Sequence, residues 1–198
     1  LSNGLRPNII IMNKQSINIF IAGSGGQGVV VVGNLIARAC VIEGKNVSGM
    51  VAYGAEMRGG TAFATVVVSD DEIACPFVET PDMAIILNQP SLERFEPTIV
   101  SGGLSLLNTS MIQRPMQRKD IEQIHLAATE LAHKLGNLKV ANIVALGAFI
   151  AHTKLLKMDS IRQAIRDLFG AKNPTMVELN LAALQCGAEN FTTRCATT

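Results

Sequence analysis

Ile17-Asn-Ile-Phe-Ile-Ala22, then Gly23-Ser-Gly-Gly-Gln-Gly28, then Val29 to Cys40 read in that order as a strand, a glycine turn and the start of a helix. An α/β domain of nucleotide-binding type requires this order. Gly23 and Gly25 permit a sharp turn that brings peptide N–H groups close to an anion, and Gly28 permits tight packing of the helix on the strand. Ser24, Gly26 and Gln27 complete the candidate binding loop. The spacing matches the dinucleotide fingerprint G-x-G-x-x-G, but such a site also needs an acidic residue about 20 positions further on. That region reads Asn46-Val-Ser-Gly-Met-Val-Ala52 and holds no carboxylate. Two readings stay open: a ligand-binding turn, or glycines that serve packing alone. Under either, Gly25→Val is expected to disturb the turn.

Working outward, the expected order is strand 17–22, helix 27–43, strand 46–50, a glycine-rich loop 53–60 and strand 61–69, whose Thr-Ala-Phe-Ala-Thr-Val-Val-Val run is strongly β-prone. A strand follows at Met83 to Asn88. Gly102-Gly103 separates two short β candidates, Thr98 to Ser101 and Leu104 to Asn108. From Asp120 the chain is expected to be helical, over 121–135, 138–156, 158–169 and 174–190. Asp159-Ser160 suits the cap of the third helix and Pro174 the first turn of the fourth. The expected fold is α/β: a single Rossmann-like domain over residues 16–192, with a mixed sheet flanked by helices and a helical C-terminal portion. Residues 1–15 read as a flexible extension, or as residues foreign to a natural start at Met12.

The chain has 198 residues, 48% of them apolar, which suits one substantial core. Its 17 Lys and Arg against 16 Asp and Glu argue against attraction to nucleic acid or to an anionic membrane. Apolar runs fall short of the roughly 20 residues that span a bilayer, and a cytoplasmic location is expected. Cys40, Cys75, Cys186 and Cys195 form no C-x-x-C pair, so no zinc or Fe–S ligand set is expected on this chain. His125, His133 and His152 lack metal spacing; on one helix the first two would stand roughly 12 Å apart.

A second motif, Tyr53-Gly-Ala-Glu-Met-Arg-Gly-Gly60, sets a carboxylate, a guanidinium and the chain's single tyrosine among three glycines. It follows the second strand and should emerge on the same carboxyl edge as the 23–28 turn. Tyr53, Glu56, Arg58 and Gly59 are candidate binding residues, with Arg58 offering bidentate donors to a phosphate or carboxylate. The other reading is a Glu56–Arg58 ion pair that fixes the loop.

These two motifs, followed by Ser69-Asp-Asp-Glu-Ile73, Pro76, Pro81-Asp82 and Val140-Ala-Asn-Ile-Val-Ala-Leu-Gly147, resemble the gamma subunit of 2-oxoacid:ferredoxin (or acceptor) oxidoreductases. The resemblance runs from Ile17 through Asn190 and is greatest to the 2-oxoglutarate type, with pyruvate, branched-chain and indolepyruvate versions as alternatives. It implies a complex that converts a 2-oxoacid and coenzyme A to acyl-CoA and CO2 and reduces ferredoxin. The resemblance implies that thiamine diphosphate with its Mg is held by alpha and beta subunits and that the Fe–S clusters sit on other chains of a complex of alpha and beta, or alpha, beta and delta, partners; this chain agrees, lacking the G-D-G…N-N magnesium pattern and cluster cysteines. The resemblance assigns no catalytic residue and no metal to this chain. It leaves two roles, contact with coenzyme A or architecture at a subunit interface, and an isolated chain that forms a homo-oligomer. A free-standing nucleotide-binding regulatory module, or a dehydrogenase fragment, is the alternative from another class.

Overall fold

The computed structural model of the protein describes residues 14–53, 60–73, 75, 77–170 and 174–195. Among them, β1 (Ser16–Ser24), β2 (Asn46–Tyr53), β3 (Thr61–Ser69), β4 (Met83–Ile86), β5 (Leu104–Asn108), β6 (Glu122–Leu126) and β7 (Thr192–Arg194) form one mixed sheet in the order β2-β3-β1-β4-β5-β6-β7. The centre, β1, β4, β5 and β6, is parallel. β3 runs antiparallel to both β1 and β2, and β7 runs antiparallel to β6. The helices are α1 (Val29–Ile42), α2 (Gln89–Phe95), α3 (Ala128–Lys134), α4 (Ala141–Thr153), α5 (Met158–Phe169) and α6 (Pro174–Glu189).

Alternation along β1 divides the core in two. Ile17, Ile19 and Ile21 join Ala64, Val66 and Val68 of β3 under α1, while Phe20 and Ala22 face the other way with Ala84, Ile86 and Leu107. This is the period of two that a strand buried on both faces requires. α1 places Val32, Leu35, Ile36 and Ala39 on the first face, each large side chain contributing roughly 1.5–3 kcal/mol by burial. The close approach of helix to sheet falls at Gly33, where an added Cβ would lie 3.3 Å from Ala64 Cβ. On the second face, Ile112, Met116 and Ile121 bring the 109–121 segment onto the core. The buried Glu96 carboxylate holds that segment by accepting from Arg114 Nη2 at 3.0 Å and from the N–H groups of Arg118, at 2.7 Å, and Gln117.

Several expected elements change. The 121–135 helix is instead β6 followed by α3, because Ile124 and Leu126 are buried while Gln123 and His125 are half-buried, a two-residue period that pairs with β5. Thr98 to Ser101 is not a strand: residues 96–98 form a 3₁₀ turn after α2. α2 and β7 were not expected, and β7 carries the sheet to Arg194, beyond 192. The 138–156 helix divides into a 3₁₀ turn, 138–140, and α4. Asp159-Ser160 does not cap α5; Lys157 holds the cap position, and Asp159, inside the first turn, pairs with Arg162 at 2.7 Å. α6 does begin at Pro174.

Lys154 closes α4 with φ 52° and ψ 24°, the one positive-φ non-glycine among the described residues. Glycine takes this conformation without the Cβ penalty. Lys154→Gly relieves a left-handed-backbone penalty of roughly 1–2 kcal/mol, partly offset by about 0.5–1 kcal/mol of glycine's chain entropy, so a net gain of about 0.5–1 kcal/mol and a melting temperature raised by about 1–4 °C are expected. A lowered melting temperature would show that contacts of the lysine side chain outweigh the backbone gain.

Candidate functional site

The turn after β1 is held closed by amide side chains. Gln27 N donates to Ser24 O at 3.0 Å, and Gln27 Oε1 accepts from Ser24 N at 2.7 Å and from Asn88 Nδ2 at 2.8 Å. Asn88 Nδ2 also donates to Ser24 Oγ at 2.7 Å, and its Oδ1 caps α2 by accepting from Ser91 N. Ser24 and Gln27 thus spend their side chains inside the turn. Gly23 lies in tight contact, its added Cβ 2.8 Å from Gln27 Oε1 and 3.3 Å from Leu87 Cβ. Gly25 and Gly26 differ: a Cβ on either would meet no described atom within 4 Å, and of the two only Gly26 has a positive φ, 91°. The steric demand expected at Gly25 therefore sits at Gly23 and Gly28.

Gly28 has φ 72° and stands at the N-cap of α1, and an added Cβ would fall 2.2 Å from Asn142 Nδ2. Asn142, from α4, donates to Gly28 O at 3.1 Å. Gly28 therefore serves a helix-to-turn contact, and the helix-to-strand approach expected of it falls at Gly33. No side chain caps α1 and no acidic residue occupies its first turn, so its leading N–H groups present the positive end of the helix.

Gly25 N donates to Gly60 O at 3.2 Å, and Ser24 is in register with Thr61. The base of the Tyr53–Gly60 loop thus joins the turn on the carboxyl edge. Glu56, Arg58 and Gly59 lie outside the described residues, as does the Tyr53 side chain; the Tyr53 backbone pairs with Ala62.

A cavity of ≈ 260 Å³ opens beside the turn, lined by Gly26, Gln27, Asn108, Thr129, Lys139 and Asn142 among others. Asn108, 1% exposed, donates to Leu87 O at 3.1 Å and to Thr129 Oγ1 at 3.0 Å. Asn88, Asn108, Lys139 and Asn142 were missed in the sequence. Asn88 and Asn108 carried a signal, since each follows or ends an apolar strand where a parallel sheet presents its ligand edge. Asn142 and Lys139 carried none.

Among the described residues no three His, Cys, Asp or Glu side chains converge to hold a metal. His125 lies on β6 and His133 on α3, so the distance argument from a single helix does not apply. Burial, then Arg194, lowers the His125 pKa. Burial, with Glu43 adding, pushes the Cys40 thiol up to about 12. A raised folded-state pKa gives stability that is complete below the unfolded value, about 8.5, and is lost as pH rises through the folded one. Native protein is expected to react with a thiol reagent at the exposed Cys75 and Cys195 and not at Cys40, and Cys40→Ala should reduce the loss of urea resistance between pH 8 and pH 10.5. Native labelling of Cys40 at the rate of the exposed thiols would refute this.

The family model described as pyruvate ferredoxin/flavodoxin oxidoreductase matches residues 18–190. The chain is 37% identical over 174 residues to ketoisovalerate oxidoreductase subunit VorA of Methanothermobacter thermautotrophicus, which covers 87% of this chain and 36% of that one. It therefore spans about a third of the length of that relative. With 2-oxoglutarate synthase subunit KorC of Methanothermobacter marburgensis it is 32% identical over 178 residues, covering 86% of this chain and 94% of that one. The crystal structure of a keto/oxoacid ferredoxin oxidoreductase gamma subunit from Geobacter sulfurreducens superposes with a TM-score of 0.73 at 28% identity, over 87% of this chain and 96% of that one. The match across 18–190 and the near full-length likeness to a subunit of its own size place one conclusion beyond the geometry: the chain belongs to the pyruvate ferredoxin/flavodoxin oxidoreductase family.

Proposed function

We propose that this chain is the gamma subunit of a multi-subunit 2-oxoacid:ferredoxin oxidoreductase. The observation that carries this reading is its likeness, nearly end to end, to a 2-oxoglutarate synthase subunit. The reaction joins a 2-oxoacid and coenzyme A, releases CO2 and delivers two electrons to ferredoxin. Thiamine diphosphate, magnesium and Fe–S clusters supply the carbon and electron chemistry on the partner subunits, alpha and beta, or alpha, beta and delta. No helix among the described residues is long and apolar enough to cross a membrane, which accords with a cytoplasmic complex.

This chain's own part is to offer coenzyme A a phosphate-binding edge. The uncapped N–H groups of α1 and the open faces of Gly25 and Gly26 fit an anion brought close to the backbone. Arg58, on the adjoining loop, supplies the cation. In the assembled enzyme Gly25→Val is expected to raise KM for coenzyme A roughly tenfold, with the melting temperature of the chain unchanged. An unchanged KM would leave the turn an interface surface only.

The substrate we assign is 2-oxoglutarate, on the like-sized KorC relative. The higher identity to VorA favours ketoisovalerate as a second reading. Anaerobic affinity purification from the native cells, with dye reduction assayed on 2-oxoglutarate, ketoisovalerate and pyruvate in the presence of coenzyme A, separates them. Recovery of the chain alone, inactive and with measurable NAD affinity, would instead make it a free-standing nucleotide module.

A further inference from the structure

The polar side chains around the cavity beside the turn have their acceptors engaged and donors left over. Gln27 Oε1 faces the N–H of Ser24 and Asn88 Nδ2, which fixes the amide, so the group Gln27 has left is Nε2 with its two hydrogens. Asn108 Nδ2 gives both hydrogens, to Leu87 O and to Thr129 Oγ1, and Asn108 Oδ1 accepts from Thr129 N. Thr129 Oγ1 is therefore an acceptor toward Asn108, and its own proton has no acceptor among the described residues. Asn142 Oδ1 accepts from Ile143 N at 3.0 Å and one Nδ2 hydrogen goes to Gly28 O, leaving the other. Lys139 makes no ion pair among the described residues, and no described carboxylate lines the cavity.

The helices add to this. α1 begins directly after Gln27-Gly28, and α4 opens with the lining residues Ala141 and Asn142; neither helix has a side-chain cap or an acidic residue in its first turn. The positive ends of two helices thus stand beside the cavity. An anion with several acceptor oxygens satisfies such a set, whereas a neutral base, whose own N–H groups need acceptors, does not. Met111, 44% exposed, and Leu138, 55% exposed, also line the cavity. They give a bare ion nothing to bury, but they cover the carbon skeleton of an ester. At ≈ 260 Å³ the cavity is smaller than the pockets of about 300–1,000 Å³ that take a drug-sized molecule whole, so it suits one end of a larger ligand.

We propose that the cavity binds a phosphate monoester, the 3′-phosphate on the ribose of coenzyme A, with Lys139, Thr129 and Gln27 as its donors. The assignment rests on the coenzyme A reading above and extends it: the backbone of the turn serves the pyrophosphate, and the cavity serves the monoester. A free phosphate ion shares this chemistry, and the test separates the two.

KM for coenzyme A and for 3′-dephospho-coenzyme A, measured on the purified complex, reads the contact directly. The wild type should favour coenzyme A by about tenfold or more, the worth of hydrogen bonds to a charged group. Lys139→Gln and Thr129→Val should each cut that ratio by about threefold or more, while Lys139→Arg and Thr129→Ser keep most of it. Lys139→Gln changes an exposed side chain and so decides the matter even where Thr129→Val disturbs Asn108. Gly25→Val should raise both constants and leave the ratio. A wild-type ratio near one, or a ratio indifferent to Lys139→Gln, would overturn the proposal and leave the coenzyme A reading standing; that reading fails instead if neither constant responds to Gly25→Val. A rise in melting temperature with inorganic phosphate that Lys139→Gln abolishes, together with a ratio near one, would make the cavity a site for the free ion and overturn the ester.

Discussion

Gly187→Ala is expected to destabilise the protein by at least about 3 kcal/mol and to lower its melting temperature by roughly 6–12 °C. An added Cβ would lie 1.8 Å from Val144 O and 3.1 Å from Ala148 N, both backbone atoms of α4. The contact is reciprocal, since a Cβ on Gly147 of α4 would lie 2.0 Å from Leu184 O of α6. Backbone cannot rotate aside as a side chain end can, so the two helices must separate and open the core between them. Helix propensity alone predicts the opposite sign, as alanine is favoured over glycine by about 1 kcal/mol in a helix interior. Urea and thermal melts therefore decide between the two effects, and an unchanged or raised melting temperature would show that the helices do not approach as closely as described. The double variant with Gly147→Ala should cost less than the sum of the singles, because both strain one interface.

Gly28→Ala is the second large effect. The left-handed backbone there costs a residue with a Cβ roughly 1–2 kcal/mol, and the clash with Asn142 must break a hydrogen bond to a side chain that is 5% exposed, adding about 1–3 kcal/mol. A total of about 2–5 kcal/mol is expected, while Gly25→Ala should be close to neutral. Removing the Asn142 side chain by Asn142→Gly in the same chain should recover part of the loss, a coupling that a double-mutant cycle measures. Equal losses at Gly25 and Gly28 would refute this account of the turn.

The sheet's first half was legible because its residues repeat their structural period. The Ile17–Ala22 run and the Thr61–Ser69 run are β-branched and alternate between the two core faces, and α1 follows a glycine turn that nothing else explains. β6 was misread because Glu122, Gln123, His125 and Leu126 suit helices as well as strands, and only pairing with β5 imposes the period of two. α2 left a legible trace that was overlooked, an asparagine cap followed by Pro90 in the first turn. Of the site, the glycines and their edge were readable as local pattern. The clasp from Asn88 and the contact from Asn142 were not, because they join positions 61 and 114 residues apart. The legible glycine spacing also misassigned the work: Gly33 and Gly28 answer to atoms of β3 and α4 that no local window contains.

The central position of β1 has a consequence for how the chain is made. β1 leaves the ribosome before the other described strands, yet it pairs with its parallel neighbour β4 across 64 residues of chain, as the Asn18–Asp82 contact shows. At elongation rates of about 5–20 residues per second, the nascent chain spends roughly 3–13 s with one side of this strand unsatisfied. The β2–β3 hairpin shortens the exposure on the other side, because β3 is complete by Ser69. Early synthesis therefore yields a three-stranded antiparallel sheet with α1 against it, and the parallel half is added onto that template as translation proceeds.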